Sequence, residues 1–387
     1  MKPTGGGIML AAGGTGGHVF PAQALAAELD RRGRVVDIVT DNRGQDFSGD
    51  FSDDFSDDFS GRFPGQTIHH VASATLSGRG LLGKLAAMIN IALGTIQARR
   101  LIRQVGPAAV VGFGGYPSLP TMLAAITLSV PRAIHEQNAV LGRVNRLLAR
   151  RVDAIATSFP VTKGLPPSKG QPKLVTGNPV RDDIIALADQ PYTAAAPDGP
   201  FQILIFGGSQ GARRFSEVIP QALLALAPEL RRRLSVVQQC RAEDLDAVRQ
   251  IYGQANIQAE TATFFTDMPA RLAAAHLVIA RSGAGTVSEL AMVGRPSVLV
   301  PYAYATDDHQ SRNAEVLSSA GGAWLLPEAE LDVPVLSGHL AKLMTDPDML
   351  RDAAKAAHGR AQPNAAAQLA ELVLTLAAGE LSGRAAA

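Results

Sequence analysis

The stretch Ile8-Met9-Leu10-Ala11-Ala12-Gly13-Gly14-Thr15-Gly16-Gly17-His18 decides how the chain is read. An apolar run of strand length ends in a cluster of glycines, and a helical pattern from Phe20 to Arg32 follows. Glycines let the backbone turn sharply and approach a ligand closely. The free N–H groups at the start of the helix favour an anion there. The spacing excludes two familiar phosphate loops. A dinucleotide turn, G-x-G-x-x-G, needs a third glycine where Val19 stands, and a P-loop needs Gly-Lys-Ser/Thr. A tight strand-to-helix turn without a ligand accounts for the glycines equally well. His18 at the turn, and Pro21 read near the first helical position, favour a site.

The same alternation spreads outward. Val35 to Thr40, Ala108 to Phe113, Ala133 to His135 and Ala154 to Thr157 read as strands; Leu85 to Gln104 and Val140 to Arg150 read as helices. Short apolar runs alternating with helices imply parallel sheets covered by helices. The pattern restarts at Gln202 to Phe206, which ends in Gly207-Gly208-Ser209-Gln210-Gly211-Ala212, and continues through Leu234 to Val237, Leu277 to Ala280 and Ser297 to Val300. Between the halves, Phe159 to Pro200 contains eight prolines and suits a linker with little continuous structure. The fold class is therefore α/β: two doubly wound, Rossmann-like parallel-sheet domains, residues 1–175 and 176–362, facing a central cleft. In such folds ligands bind at the C-terminal ends of the strands.

Composition agrees. At 387 residues, two domains are the default. Lys plus Arg is 36 against 35 Asp plus Glu, a balance that argues against a general nucleic-acid binder. The single cysteine, Cys240, provides neither an internal disulfide nor a cysteine metal cluster, and fits a reducing compartment. Met1 to Gly7 does not read as a signal peptide. No apolar run is long enough to span a bilayer, so any membrane contact is expected to be peripheral. Phe47 to Phe63 carries Phe-Ser-Asp-Asp twice; it reads as an acidic loop expansion or as one helix face bearing phenylalanines. The alanine-rich tail after Asn364 reads as a helix that frays.

Other strand ends carry polar clusters. Gly112-Phe113-Gly114-Gly115-Tyr116 is a second glycine turn. His135-Glu136-Gln137-Asn138 places four polar side chains after an apolar run, and Ala139 excludes a zinc H-E-x-x-H motif. The amides of Gly207 to Ala212 are suited to a phosphate. In Arg281-Ser282-Gly283-Ala284-Gly285-Thr286-Val287-Ser288-Glu289, a carboxylate at Glu289 suits a ribose diol, or Thr286 to Glu289 is a capping box with Glu289 at N3. Asp307-Asp308-His309-Gln310 is a further polar cluster.

Taken in order, these motifs, with Pro117 and Thr176-Gly177-Asn178-Pro179-Val180-Arg181, resemble the MurG family, the undecaprenyl-diphospho-muramoyl-pentapeptide β-N-acetylglucosaminyltransferases, from about Ile8 to Ala314. The resemblance implies a GT-B fold whose C-terminal helix, about residues 363–380, packs back on the N-terminal domain. It implies an inverting, metal-independent transfer of N-acetylglucosamine (GlcNAc) from UDP-GlcNAc to lipid I, giving lipid II for peptidoglycan, with no cofactor. It also implies a peripheral protein at the cytoplasmic face of the bacterial inner membrane, meeting cell-wall synthesis and division proteins. Carried over motif by motif, Thr15, Gly16 and Gly17 would approach the sugar diphosphate and Asn138 the N-acetylglucosamine. Arg181 and Ser209 would serve the diphosphate, and the backbone of Phe265 would meet uracil. Ala284, Gly285, Thr286, Val287, Ser288 and Glu289 would surround the nucleotide, with Glu289 on the ribose and Gln310 near the donor sugar.

Inversion requires the acceptor hydroxyl to attack the anomeric carbon opposite UDP while a base takes its proton. A neutral imidazole does this near pH 7, so His18 is the candidate, with His135 or Glu136 as alternatives. A lipid-linked acceptor requires a membrane surface. Ala74 to Leu85 mixes apolar and basic residues: Leu76, Leu81, Leu82 and Leu85 are candidates to enter an anionic bilayer surface, and Arg79 and Lys84 to meet headgroups, unless this is an ordinary amphipathic helix docked on the sheet. The competing readings are a UDP-sugar 2-epimerase or a transferase with a soluble acceptor on the same fold, and a nucleotide-sugar sensor without activity.

Overall fold

The computed structural model describes residues 6–41, 61, 63–75, 80–167, 170–196, 198–208 and 212–380. Leu76, Arg79, Ser209 and most of the Phe-Ser-Asp-Asp segment lie outside these residues, as does the side chain of Leu81. The chain divides into two compact units, one of residues 1–181 with 364–387 and one of residues 182–363.

The first unit holds strands β1 (Ile8–Ala11), β2 (Val36–Thr40), β3 (Thr67–His70), β4 (Ala109–Gly112), β5 (Arg132–Glu136), β6 (Ala154–Thr157) and β7 (Lys173–Val175). They form one sheet in the order β3-β2-β1-β4-β5-β6-β7, every pair parallel. All residues of β1, β2, β4 and β6 are buried, as expected where helices cover both faces of a parallel sheet. The edge strands β3 and β7 are largely uncovered. The strand β7 corrects the reading of 159–200 as a linker. Its first part completes the first sheet, and the unit runs on to Arg181, past the expected boundary.

Helix Gly16–Arg31 packs Leu25, Ala26 and Leu29 into one core of this unit with Leu369, Val373 and Leu376 of helix Ala365–Ala377. Arg32 also bonds the Ala367 carbonyl and the Glu371 carboxylate. Helix Leu81–Val105 buries Ala87, Ile91, Ala98 and Ile102 on the other face of the sheet. Its approach depends on Gly94, where a β-carbon would stand 1.7 Å from the Ala72 carbonyl oxygen.

The second unit repeats the plan with β8 (Phe201–Phe206), β9 (Leu234–Gln239), β10 (Gln258–Ala262), β11 (Leu277–Ala280), β12 (Ser297–Leu299) and β13 (Ala323–Leu325). The order is β10-β9-β8-β11-β12-β13, again all parallel. Phe201, Ile203, Ile205, Phe215, Leu336 and Leu340 join its core.

These orders locate the sites. In each sheet the chain leaves in one direction from its first strand and then returns to that strand's other side. The switch points lie between β1 and β4 and between β8 and β11. Open α/β sheets bind ligands outside the C-terminal strand ends at such points. The Gly13–His18 and Gly112–Tyr116 turns flank the first, and the segments that leave β8 at Gly207 and β11 at Arg281 flank the second.

Candidate active site

Helix Gly16–Arg31 begins four residues before the expected start, with Thr15 as an N-cap that makes no side-chain cap bond. Pro21 is therefore inside the helix, not near its first position as read from the sequence. A proline there removes the hydrogen bond to the carbonyl four residues back, in this case that of Gly17. The next glycine turn shows how such a carbonyl is used. Pro120 lies inside helix Gly115–Thr127, and the Tyr116 carbonyl it would have left unpaired accepts the Ser73 hydroxyl at 2.8 Å.

Three predicted polar residues meet at the first switch point. Gln137 Oε1 lies 3.1 Å from His18 Nδ1, and Gln137 Nε2 lies 3.0 Å from His135 Nδ1. His135 Nε2 faces the Gly177 carbonyl oxygen at 3.0 Å. His18 is half-buried, and its Nε2 has no hydrogen-bond partner among the described residues. His135 is fully buried. Desolvation, aided by the neighbouring His18, pushes its pKa down to about 4 against the pull of the Gly177 bond, so its ring is neutral at pH 7.

Glu136 does different work. One carboxylate oxygen accepts the Asn138 backbone N–H at 3.0 Å and its side-chain amide at 3.3 Å. The other accepts the Gly142 N–H at 2.8 Å and Asn145 Nδ2 at 2.9 Å. A buried carboxylate with four donors is a clamp on the loop after β5, and it holds Asn138 in place. Of the three candidate bases, His18 alone combines partial exposure with an open ring nitrogen. Sequence reasoning missed Gly142, Asn145 and the Gly177 carbonyl. Arg181, expected to serve a donor diphosphate, belongs to this unit, its guanidinium 5.5 Å from the ring centroid of Phe20.

In the second unit, helix Ala284–Val293 has Gly283 as its N-cap. Glu289 is thus the sixth helical residue, which overturns the capping-box alternative: a capping carboxylate must sit at the third. Ala284 and Val287 point into the core, while Gly285, Thr286, Ser288 and Glu289 are partly exposed. Four of the six residues are thus accessible at this end of the helix. Ser288 Oγ donates to the Ala284 carbonyl at 2.9 Å. A β-carbon at Gly285 would meet nothing within 4 Å, so the turn is open there.

Behind this helix end, Ser282 Oγ donates to the Gln310 carbonyl at 2.8 Å, and Gln310 Oε1 accepts the Tyr302 N–H at 2.9 Å. Buried Arg281 bonds the carbonyls of Val300 and Pro301 at 3.2 Å, pairs with Glu328, and lies 4.8 Å from the centroid of Phe215. Phe265 is buried beneath Arg271, whose guanidinium is 4.0 Å from its centroid and bonds both oxygens of Glu260. Its side chain is therefore committed to this packing.

Residues 8–157 match the glycosyltransferase family 28 N-terminal domain and residues 202–371 the family 28 C-terminal domain. The chain belongs to glycosyltransferase family 28. A family member from Rhodospirillum centenum, UDP-N-acetylglucosamine–N-acetylmuramyl-(pentapeptide) pyrophosphoryl-undecaprenol N-acetylglucosamine transferase, is 51% identical over 97% of this chain and 96% of its own. The crystal structure of Acinetobacter baumannii MurG superposes with a TM-score of 0.74 at 32% identity, covering 96% of this chain and 99% of that one. These likenesses place the chain among the MurG members of family 28. A UDP-GlcNAc 2-epimerase from Neisseria meningitidis shares the fold alone, with a TM-score of 0.66 at 14% identity over 95% of this chain and all of that one.

Proposed function

We propose that the chain transfers N-acetylglucosamine from UDP-GlcNAc to the 4-hydroxyl of the muramoyl sugar of undecaprenyl-diphospho-MurNAc-pentapeptide, with inversion. The observation that carries this reading is the 51% identity, over nearly the full length of both chains, to a transferase of that name. The chemistry at the first switch point suits it. The acceptor oxygen forms its bond to the anomeric carbon, its proton passes to His18 Nε2, and the bond to UDP breaks with the electron pair on the leaving diphosphate. The N-termini of helices Gly16–Arg31 and Ala284–Val293, neither capped by a side chain, offer N–H groups to phosphate charge. Glu289 and Gln310 suit the donor nucleotide and its sugar, and Asn138 suits an N-acetylglucosamine group. UDP release that requires lipid I, with lipid II as product, tests the reading. Conversion of UDP-GlcNAc alone into its 2-epimer, or no release with acceptor, overturns it.

A lipid-borne acceptor brings the chain to a bilayer. Among the described residues no helix is long and apolar enough to cross one. Helix Leu81–Val105 instead carries Leu82, Leu85, Ile89, Leu93 and Ile96 exposed along one face, with Met88 beside them. It contains Lys84, Arg99, Arg100 and Arg103 and no acidic residue. Such a stripe suits insertion at an anionic surface, and it continues the predicted patch about three turns further along the helix, from Leu85 to Ile96. This supports a peripheral place at the cytoplasmic face of the inner membrane.

A further inference from the structure

We infer that Gln137 and His135 are positioning residues that fix the tautomer of His18, so that its Nε2 carries the lone pair. The inference rests on the proposed role of His18 as base, and the argument is one of donors and acceptors. The Gly177 carbonyl only accepts, so His135 Nε2, 3.0 Å away, must carry the proton. A neutral His135 then has a bare Nδ1, which accepts from Gln137. The same Gln137 amide nitrogen also lies 3.2 Å from the His135 carbonyl, a second acceptor, so the amide cannot be turned over without setting oxygen against both. Its oxygen is therefore the atom 3.1 Å from His18 Nδ1, and that nitrogen must donate. One backbone carbonyl, 159 positions further along the chain, thereby decides which nitrogen of His18 is basic. His135 is in electrostatic contact with His18. Because it stays uncharged, the relay orients the ring without adding charge to it.

The arrangement acts on the chemical step, since the Gln137 side chain bonds His18 and His135 and none of the residues assigned to the donor. In Gln137→Leu the ring loses its orienting acceptor. The turnover number is expected to fall about 10- to 100-fold, a part of the 10²–10⁴ a general base supplies, with the KM for UDP-GlcNAc unchanged within about twofold.

The deciding measurement needs no substrate. Two-bond ¹H–¹⁵N correlation spectra of the ¹⁵N-histidine-labelled chain, with His18 assigned by its loss in His18→Ala, distinguish the tautomers directly. A protonated Nδ1 and bare Nε2 in the neutral ring, shifting toward the Nε2–H form in Gln137→Leu, is the expected result. An Nε2–H tautomer in the unaltered chain, or one that Gln137→Leu does not move, overturns the inference. If Gln137→Leu does not fold, the spectrum of the unaltered chain decides alone. Absence of lipid II formation by the unaltered chain would instead count against the transferase reading and leave the tautomer result standing.

Discussion

A β-carbon at Gly115 would stand 3.2 Å from Cδ2 and 3.3 Å from Nε2 of His18. Gly115 has φ +69°, a conformation a side chain makes costly. Gly115→Ala therefore carries two effects. Backbone strain lowers stability by about 1 kcal/mol. The methyl group also displaces the imidazole by a few tenths of an ångström, and catalytic groups are sensitive to such shifts. A fall in turnover of at least about tenfold is expected, with donor KM retained. Single-turnover kinetics checks it, and near-normal chemistry in the variant would show that the His18 ring does not act where it stands.

Glu136→Gln tests the clamp against the alternative in which this residue is the base. The amide puts two N–H groups among four donors that need acceptors. A destabilisation of about 2–4 kcal/mol is expected in urea unfolding. A variant of unchanged stability whose chemical step alone is abolished would restore Glu136 as a catalytic candidate.

His135 makes folding depend on pH. Its pKa is near 6.5 when unfolded and about 4 when folded, so between those values the unfolded chain binds the extra proton. Stability from this group is complete above pH 6.5 and is lost progressively as pH falls toward 4, by about 3 kcal/mol in all. Comparing unfolding free energies at pH 7 and pH 4.5 for the unaltered chain and His135→Asn checks this. The variant should show the shallower slope, and equal slopes would refute it.

The sequence showed best what burial and glycine make visible. Strands β1, β4 and β11 are continuous apolar runs, and the turns after β1, β4 and β8 announce themselves by composition. The edge strand β3, Thr67-Ile68-His69-His70, has no such signature because it lies half in solvent, and β13 is only three residues long. Pro21 misplaced a helix start because proline is common at the first position, yet Gly16 already begins the helix. His18 stands out at its glycine turn, and His135 and Glu136 within one polar cluster. The roles of His18 and His135 depend on partners 119 and 42 positions away, one of them a backbone carbonyl, and no local pattern records those.

Gly94→Ala probes how helix Leu81–Val105 is seated. The clash is with the backbone oxygen of Ala72, so no side-chain rotation relieves it. The Ala72 N–H is bonded to Gln97 Oε1 at 2.7 Å, which ties that segment to the same helix. The helix must move outward, at a cost of about 3 kcal/mol. Thermal unfolding measures this, and an unchanged midpoint would mean that the close approach does not exist in solution.

The exposed face of that helix gives the last prediction. Leu82 is 85% exposed and Ile89 53%, and neither supports the core. Replacing both with Ser leaves folding nearly unchanged, since surface positions of this kind contribute little to stability. Transfer of each apolar side chain into a bilayer surface is worth about 1–3 kcal/mol, and partial insertion realises a fraction of it. Binding to vesicles containing phosphatidylglycerol or cardiolipin should weaken at least about tenfold. High salt should weaken the unaltered chain's binding as well, through Lys84 and the arginines at 99, 100 and 103. Flotation measures both, and equal binding by the double variant would remove this face from membrane contact.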